Sequence, residues 1–230
     1  MHRVPKRLGL TAFLMLMIAI LGAGQLAAQG KRQEFLAAFK KAVATNDFSR
    51  QRSMVGQNKK EAFDGFFDLE ADLLKARVGN DTDAANKAYS ELEALAGAYR
   101  LEFNESFLND RFRWANGLEG EAAQGRIDAY NSYWNGVQSQ SEGDNGNEEA
   151  YRAALESYSN TMLTCAKIKD QYWTAMAANY MSGIHNKFNE YFEAAYYALW
   201  AKRFAIEGGI SGRSEFSWID GYLGDLNEKK

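Results

Sequence analysis

Residues 148–181 read EEAYRAALESYSNTMLTCAKIKDQYWTAMAANYM. Within them Tyr151, Ala154, Leu155, Tyr158, Met162, Cys165, Ile168, Tyr172, Met176 and Tyr180 recur at steps of three and four. One apolar stripe on a 3.6-residue period is the mark of an amphipathic helix. The stretch is too long for one globular helix, which averages about 11–12 residues. A break near Lys169-Asp170 is therefore expected, with Ser182-Gly183 closing the second half.

The same period extends upstream. A first helix is expected over Arg32–Thr45, with Phe35, Ala38, Phe39, Ala42 and Val43 on its stripe. A second region runs from Phe48 to Val78, with a break near Gly56 and Phe63, Phe66, Phe67, Leu69, Leu73 and Leu74 as its apolar side. Gly79-Asn80 reads as a stop, and the acidic or hydroxyl residues at 81–83 as caps. Leu92, Leu95, Ala96, Tyr99, Phe103 and Phe107 mark a third helix that is expected to continue to Trp114. A fourth spans Gly120–Val137, striped by Ala123, Ile127, Tyr130 and Trp134. Ser139–Asn147, SQSEGDNGN, reads as the one polar glycine-rich loop and as an internal boundary.

Downstream, a helix from Phe188 to Ile206 carries apolar residues on two opposite faces. Phe188, Phe192, Ala195, Leu199 and Ile206 lie on one; Tyr197, Trp200 and Phe204 lie on the other. Such a helix is expected to be sandwiched between neighbours. Phe216, Trp218, Ile219, Tyr222 and Leu223 predict a short docked helix at the end. No strand alternation appears, and the only proline is Pro5. Absence of proline after position 5 suits helices joined by short Gly/Asn/Asp turns. The expected class is all-α.

The first 28 residues differ in kind. Arg3, Lys6 and Arg7 precede the apolar run LGLTAFLMLMIAIL at 8–21, followed by small residues up to Ala28. That order is a secretory signal peptide. The run is short for a membrane-spanning helix of about 20 residues. The expected organisation is a signal at 1–28 and a single all-helical domain at 29–230, exported in soluble form to the periplasm or beyond. Gln29, not a cysteine, stands at the expected cleavage point, so no lipid anchor is expected there. Cys165 is the sole cysteine and can form no internal disulfide, so burial must hold the fold.

The full chain of 230 residues carries a net charge of −3. All 30 Asp and Glu but only 24 of the 27 Lys and Arg lie beyond residue 28. An acidic chain with interspersed charges lacks the basic footprint of a nucleic-acid or anionic-membrane binder. Beyond the signal there is one histidine, His185, too few for a His-rich zinc site or paired Glu-x-x-His motifs. Asp64, Asp68 and Asp72 share a helix face, which reads as a solvated face tempered by Lys60 and Lys75. Residues 142–149 lack the order and the closing Glu of a calcium loop. Nucleophile-elbow, phosphate-loop and dinucleotide glycine motifs are absent. No catalytic residue, metal ligand or cofactor is assigned.

Ala85/Tyr89 and Ala154/Tyr158 place a small residue four before an aromatic, 69 residues apart. Trp173, Met176, Ala177 and Tyr180 follow, then Tyr191 and Ala194. These features resemble tetratricopeptide-type repeats of 34 residues, with W-x-x-L-G-x-x-Y in the first helix. Here Ala177 takes the glycine position, Ala198 that of an aromatic, and the closing proline is missing. The resemblance lies mainly in residues 148–204. It implies antiparallel hairpins in an irregular bundle or short repeat-like array, and a protein- or peptide-binding scaffold. The expected function is an exported, non-enzymatic scaffold whose contact aromatics are Trp173, Tyr180, Tyr197, Trp200 and Phe204. A small-ligand or carbohydrate site using the same rings is the alternative, and an enzyme with an unrecognised site is the third reading.

Overall fold

The computed structural model describes residues 29–213, 215–216 and 219–228. The expected signal at 1–28 and Trp218 lie outside them. Among the described residues the regular structure is helical, in ten helices. The chain divides into two compact units, Met1–Leu118 and Glu119–Lys230. The division falls just before Gly120, not in the 139–147 stretch.

The first unit holds α1 (29–44), α2 (Phe48–Gln57), α3 (Lys59–Val78), α4 (Thr82–Phe103) and α5 (Phe107–Asn116). Central α4 packs against α2, α3 and α5. Its stripe of Leu92, Leu95, Ala96 and Tyr99 is buried together with Phe39, Phe66, Leu69 and Leu73. The expected continuation to Trp114 is interrupted at Asn104, which turns left-handed at φ 53° and ends α4. Glu70 and Arg111 form a buried two-point pair, at 2.8 and 3.1 Å.

The second unit holds α6 (Gly120–Asp144), α7 (Glu148–Lys167), α8 (Gln171–Lys187), α9 (Tyr191–Glu207) and α10 (Ile219–Glu228). Each packs on the next in chain order. The hairpins share one connector. Its middle residue is left-handed: Gly146 between α6 and α7, Lys169 between α7 and α8, Asn189 between α8 and α9. The next residue then starts the following helix: Asn147, Asp170, Glu190. Its amide donates back to a carbonyl five residues earlier, as Asp170 does to Cys165 at 2.8 Å and Glu190 to His185 at 2.9 Å. Asn46-Asp47 and Asn80-Asp81 repeat the device in the first unit. This is a helix-ending left-handed turn fused to an N-cap position, where the Asn147 and Asp170 side chains accept an amide of the next helix and the Glu190 side chain does not.

Two helix ends differ from expectation. Ser182-Gly183 does not close α8, which continues to Lys187. The Ser182 hydroxyl donates to the Ala194 carbonyl at 2.7 Å and serves the contact with α9. Residues 139–144 are not a loop but the last turns of α6, and only the residues up to Asn147 form the turn. Gly136 and Gly143, seven apart, are notches for Tyr158 and Tyr151, also seven apart. A Cβ on Gly136 would lie 2.7 Å from the Tyr158 ring, and one on Gly143 would lie 2.6 Å from the Tyr151 ring.

The notches reverse the usual sign of a glycine substitution. Gly→Ala inside a helix ordinarily stabilises by about 0.5–1 kcal/mol. Gly183, open on all sides, should follow that rule. Gly136→Ala should instead destabilise by roughly 1–3 kcal/mol, because the Tyr158 ring is fixed in the core and cannot retreat. Denaturant midpoints of the two variants check this; equal gains would show that the rings yield.

Candidate functional site

α9 is built differently from its neighbours. Its buried line is Ala194, Ala198, Ala201 and Ala205, which lets α8 approach closely. The large apolar residues therefore point elsewhere. Phe192 is 71% exposed, Leu199 57%, Ile206 57% and Tyr196 48%. α9 does lie against both α8 and α10, but the apolar faces expected to be covered are not the ones that are buried. The alanines are a face in their own right, and they take the buried position.

Between the two faces runs a half-buried aromatic flank. Tyr197 stacks on His185, with ring centroids 5.2 Å apart and planes at 10°. Trp200 stacks on Phe204 at 5.3 Å, and Tyr196 meets both Tyr197 and Trp200. The Arg203 guanidinium lies 5.2 Å from the Trp200 ring. His185 Nδ1 is held 2.6 Å from the Glu190 carboxylate, which fixes the ring under Tyr197. Burial, then the neighbouring Tyr196 and Glu193, push the Tyr197 phenol above its ordinary pKa.

Trp173 and Tyr180 are placed elsewhere. Trp173 is buried, and its ring centroid is 4.3 Å from that of Tyr133. Tyr180 stacks on Tyr158 at 5.1 Å and touches Tyr133 at 5.7 Å. The Arg126 guanidinium lies 5.1 Å from the Trp173 ring and pairs with Asp170 at 3.3 Å, both charges being buried. Tyr133, Tyr158 and Trp173 are buried in the second unit, and the half-buried Tyr180 packs over them. The five expected contact aromatics therefore form two groups, and only Tyr197, Trp200 and Phe204 line the outer helix.

A feature with little trace in the sequence lies in the first unit. A groove of about 680 Å³ opens between α2 and α4. Ala94, Gly97 and Ala98 form its floor, and the exposed Phe48 and Leu101 stand on its sides. Arg52 and Glu102 also line it and pair with each other at 2.8 Å. Small residues three and four apart on an otherwise bulky helix are the only sequence sign of it.

The aspartate row of α3 is neutralised residue by residue. Asp64 is paired with Lys60, Asp68 with Arg32 at 2.9 Å and Asp72 with Lys40 at 3.6 Å. Among the described residues no cluster of His, Cys, Asp and Glu is arranged to hold a metal ion, and no helix is long and apolar enough to cross a membrane. No family model matches the chain, and no curated protein or solved structure matches it.

Proposed function

We propose that the protein is an exported, non-enzymatic helical scaffold that binds a protein or peptide partner along the aromatic flank of α9. One observation carries this reading: α9 buries alanines and turns Phe192, Tyr196, Leu199 and Ile206 toward solvent beside the half-buried Tyr197, Trp200 and Phe204. Contiguous exposed apolar surface of this kind marks interaction sites on soluble proteins. Tyr, Trp and Arg, the types that dominate binding hot spots, are grouped there as Tyr197, Trp200 and Arg203. The tetratricopeptide-like spacing of residues 148–204 supports the same class of function, and the charge pattern of residues 3–28 supports export.

A small-ligand reading draws on the α2–α4 groove, whose volume lies within the usual range of roughly 300–1,000 Å³ for ligand sites. Its charged residues already satisfy each other, which leaves little to orient a polar ligand.

The test is affinity capture from the native exported fraction with the purified chain and with the variant Trp200→Ala/Phe204→Ala. The variant should keep its helical content and weaken capture about tenfold or more. Recovery of the same proteins by a folded variant, or retention on a sugar matrix with no protein recovered, would overturn the proposal. A mature start at Gln29 in that fraction is the expected result for export; an intact residue 1 there would contradict it.

A further inference from the structure

The outward face of α9 has an internal order that the aromatic flank does not use. Phe192, Tyr196, Leu199, Arg203 and Ile206 are spaced four, three, four and three apart. That is the a/d seam of a left-handed coiled coil, carried over two heptads. It lies opposite the buried alanines at 100° per residue. We propose that this face pairs with the same face of a second copy of the chain, in an antiparallel, two-fold symmetric helix pair.

Three observations select that occupant. First, the seam is nearly the same read in either direction about Leu199, with Phe192 and Ile206 seven residues to each side. A two-fold interface needs a patch that is complementary to itself, and such a seam is one. Second, charge selects the direction. In a parallel pair Arg203 would face Arg203 of the other copy inside the seam. Antiparallel pairing sends it instead to the end that carries Phe192 and Tyr196, where a guanidinium meets an aromatic ring. Arg203 already contacts one ring, Trp200, and its pairing with Glu207 at 2.7 Å runs along its own helix, off the seam. Third, area sets the strength. The exposed side chains of one face amount to about 400 Å². Two such faces with their rims reach about 1,000 Å², the low end for specific association. The pair is therefore a weak, concentration-dependent dimer.

The seam shares Arg203 and the exposed face of α9 with the partner-binding reading, whereas Tyr197, Trp200 and Phe204 stand beside it, so variants at Leu199 and Phe192 read the seam and Trp200→Ala/Phe204→Ala reads the flank. Sedimentation equilibrium of the full chain from low to high micromolar concentration should show monomer passing to dimer. Leu199→Glu should hold the chain monomeric with its helical signal intact, whereas Leu163→Glu, at an exposed leucine on α7, should leave the dimer unchanged. Single introduced cysteines, in a Cys165→Ala background, then read the direction. Leu199→Cys, near the axis, should form a disulfide-linked dimer, and Phe192→Cys, about 21 Å along the axis from its mate in an antiparallel pair, should not. Monomer at every concentration, a dimer indifferent to Leu199→Glu, or efficient cross-linking at both positions would each overturn the proposal.

Discussion

Arg126→Met should cost the second unit roughly 3–5 kcal/mol, the cost of stranding a buried charge. Arg126 on α6 faces Asp170 at 3.3 Å, and both side chains are almost wholly out of solvent. Asp170 also starts α8, because its carboxylate accepts the Trp173 amide at 3.2 Å. The arginine thus fixes the one residue that both ends the α7–α8 turn and caps the next helix. Methionine preserves most of the side-chain volume against Trp173, so the loss isolates the charge. Arg126→Met/Asp170→Asn should recover a large part of it, because asparagine still caps and leaves no charge to bury. Denaturant unfolding of the full chain followed by tryptophan fluorescence reads the effect; Trp134, Trp173 and Trp200 all lie in the second unit. A loss below about 1 kcal/mol, the range of an exposed pair, would mean that water reaches Asp170. The same core bears on function. Trp173→Ala would weaken binding only by loosening it, so that variant cannot stand as evidence for a contact role.

What the sequence shows plainly is chemistry completed within a few residues. Asn46-Asp47, Gly79-Asn80-Asp81 and Lys169-Asp170 each carry a left-handed position and a cap side by side, and each is a helix junction in the structure. The stripe of α4 is legible for the same reason, since period alone decides which side is buried. Misreadings arise where a residue's role depends on a distant neighbour. Gly143 looks like loop punctuation, yet it accepts a tyrosine ring from α7. Ser182 looks like a helix stop, yet it bonds across to α9. Trp173 and Trp200 are alike in sequence, each on a helix rich in aromatics. Packing against Tyr133 and Arg126 keeps the first inside, and the alanine line of α9 leaves the second outside. Tyr133, at the centre of the interior rings, is hard to read because it lies off the stripe of Tyr130 and Trp134. The α2–α4 groove is equally hidden, because small residues announce a close approach or an opening without saying which.

Above pH 10 the second unit should unfold cooperatively as its tyrosines ionise. The Tyr133 phenol is raised well above its ordinary value, first by burial and then by Tyr180, Tyr158 and Tyr172. The Tyr158 phenol is raised by burial, then by Tyr180 and Asp144. An unfolded tyrosine ionises near pH 10, so in the window above that the unfolded chain holds fewer protons than the folded one. The stability these groups contribute is therefore complete below about pH 10 and is lost as pH rises toward the folded values. Each costs about 1.4 kcal/mol per pH unit in that window, and two together roughly 2.7. Tyr151 is raised as well, by burial and its hydrogen bond to Asp144, and adds in the same direction. For Lys187, burial pulls downward, but hydrogen bonds with Asp144 and Tyr151 outweigh it and raise the ammonium pKa. Its tie between α8 and the end of α6 is lost with the same sign. Helical circular dichroism and tyrosinate absorbance, recorded together on the full chain, should show a late group of phenols appearing only as helix disappears. Tyr158→Phe should make the fall in stability with pH about 1.4 kcal/mol per unit shallower, at the expense of the hydrogen bond to Gln140. If all twelve tyrosines ionise while the helical signal holds, the interior of the second unit is open to water and the packing described for it is wrong.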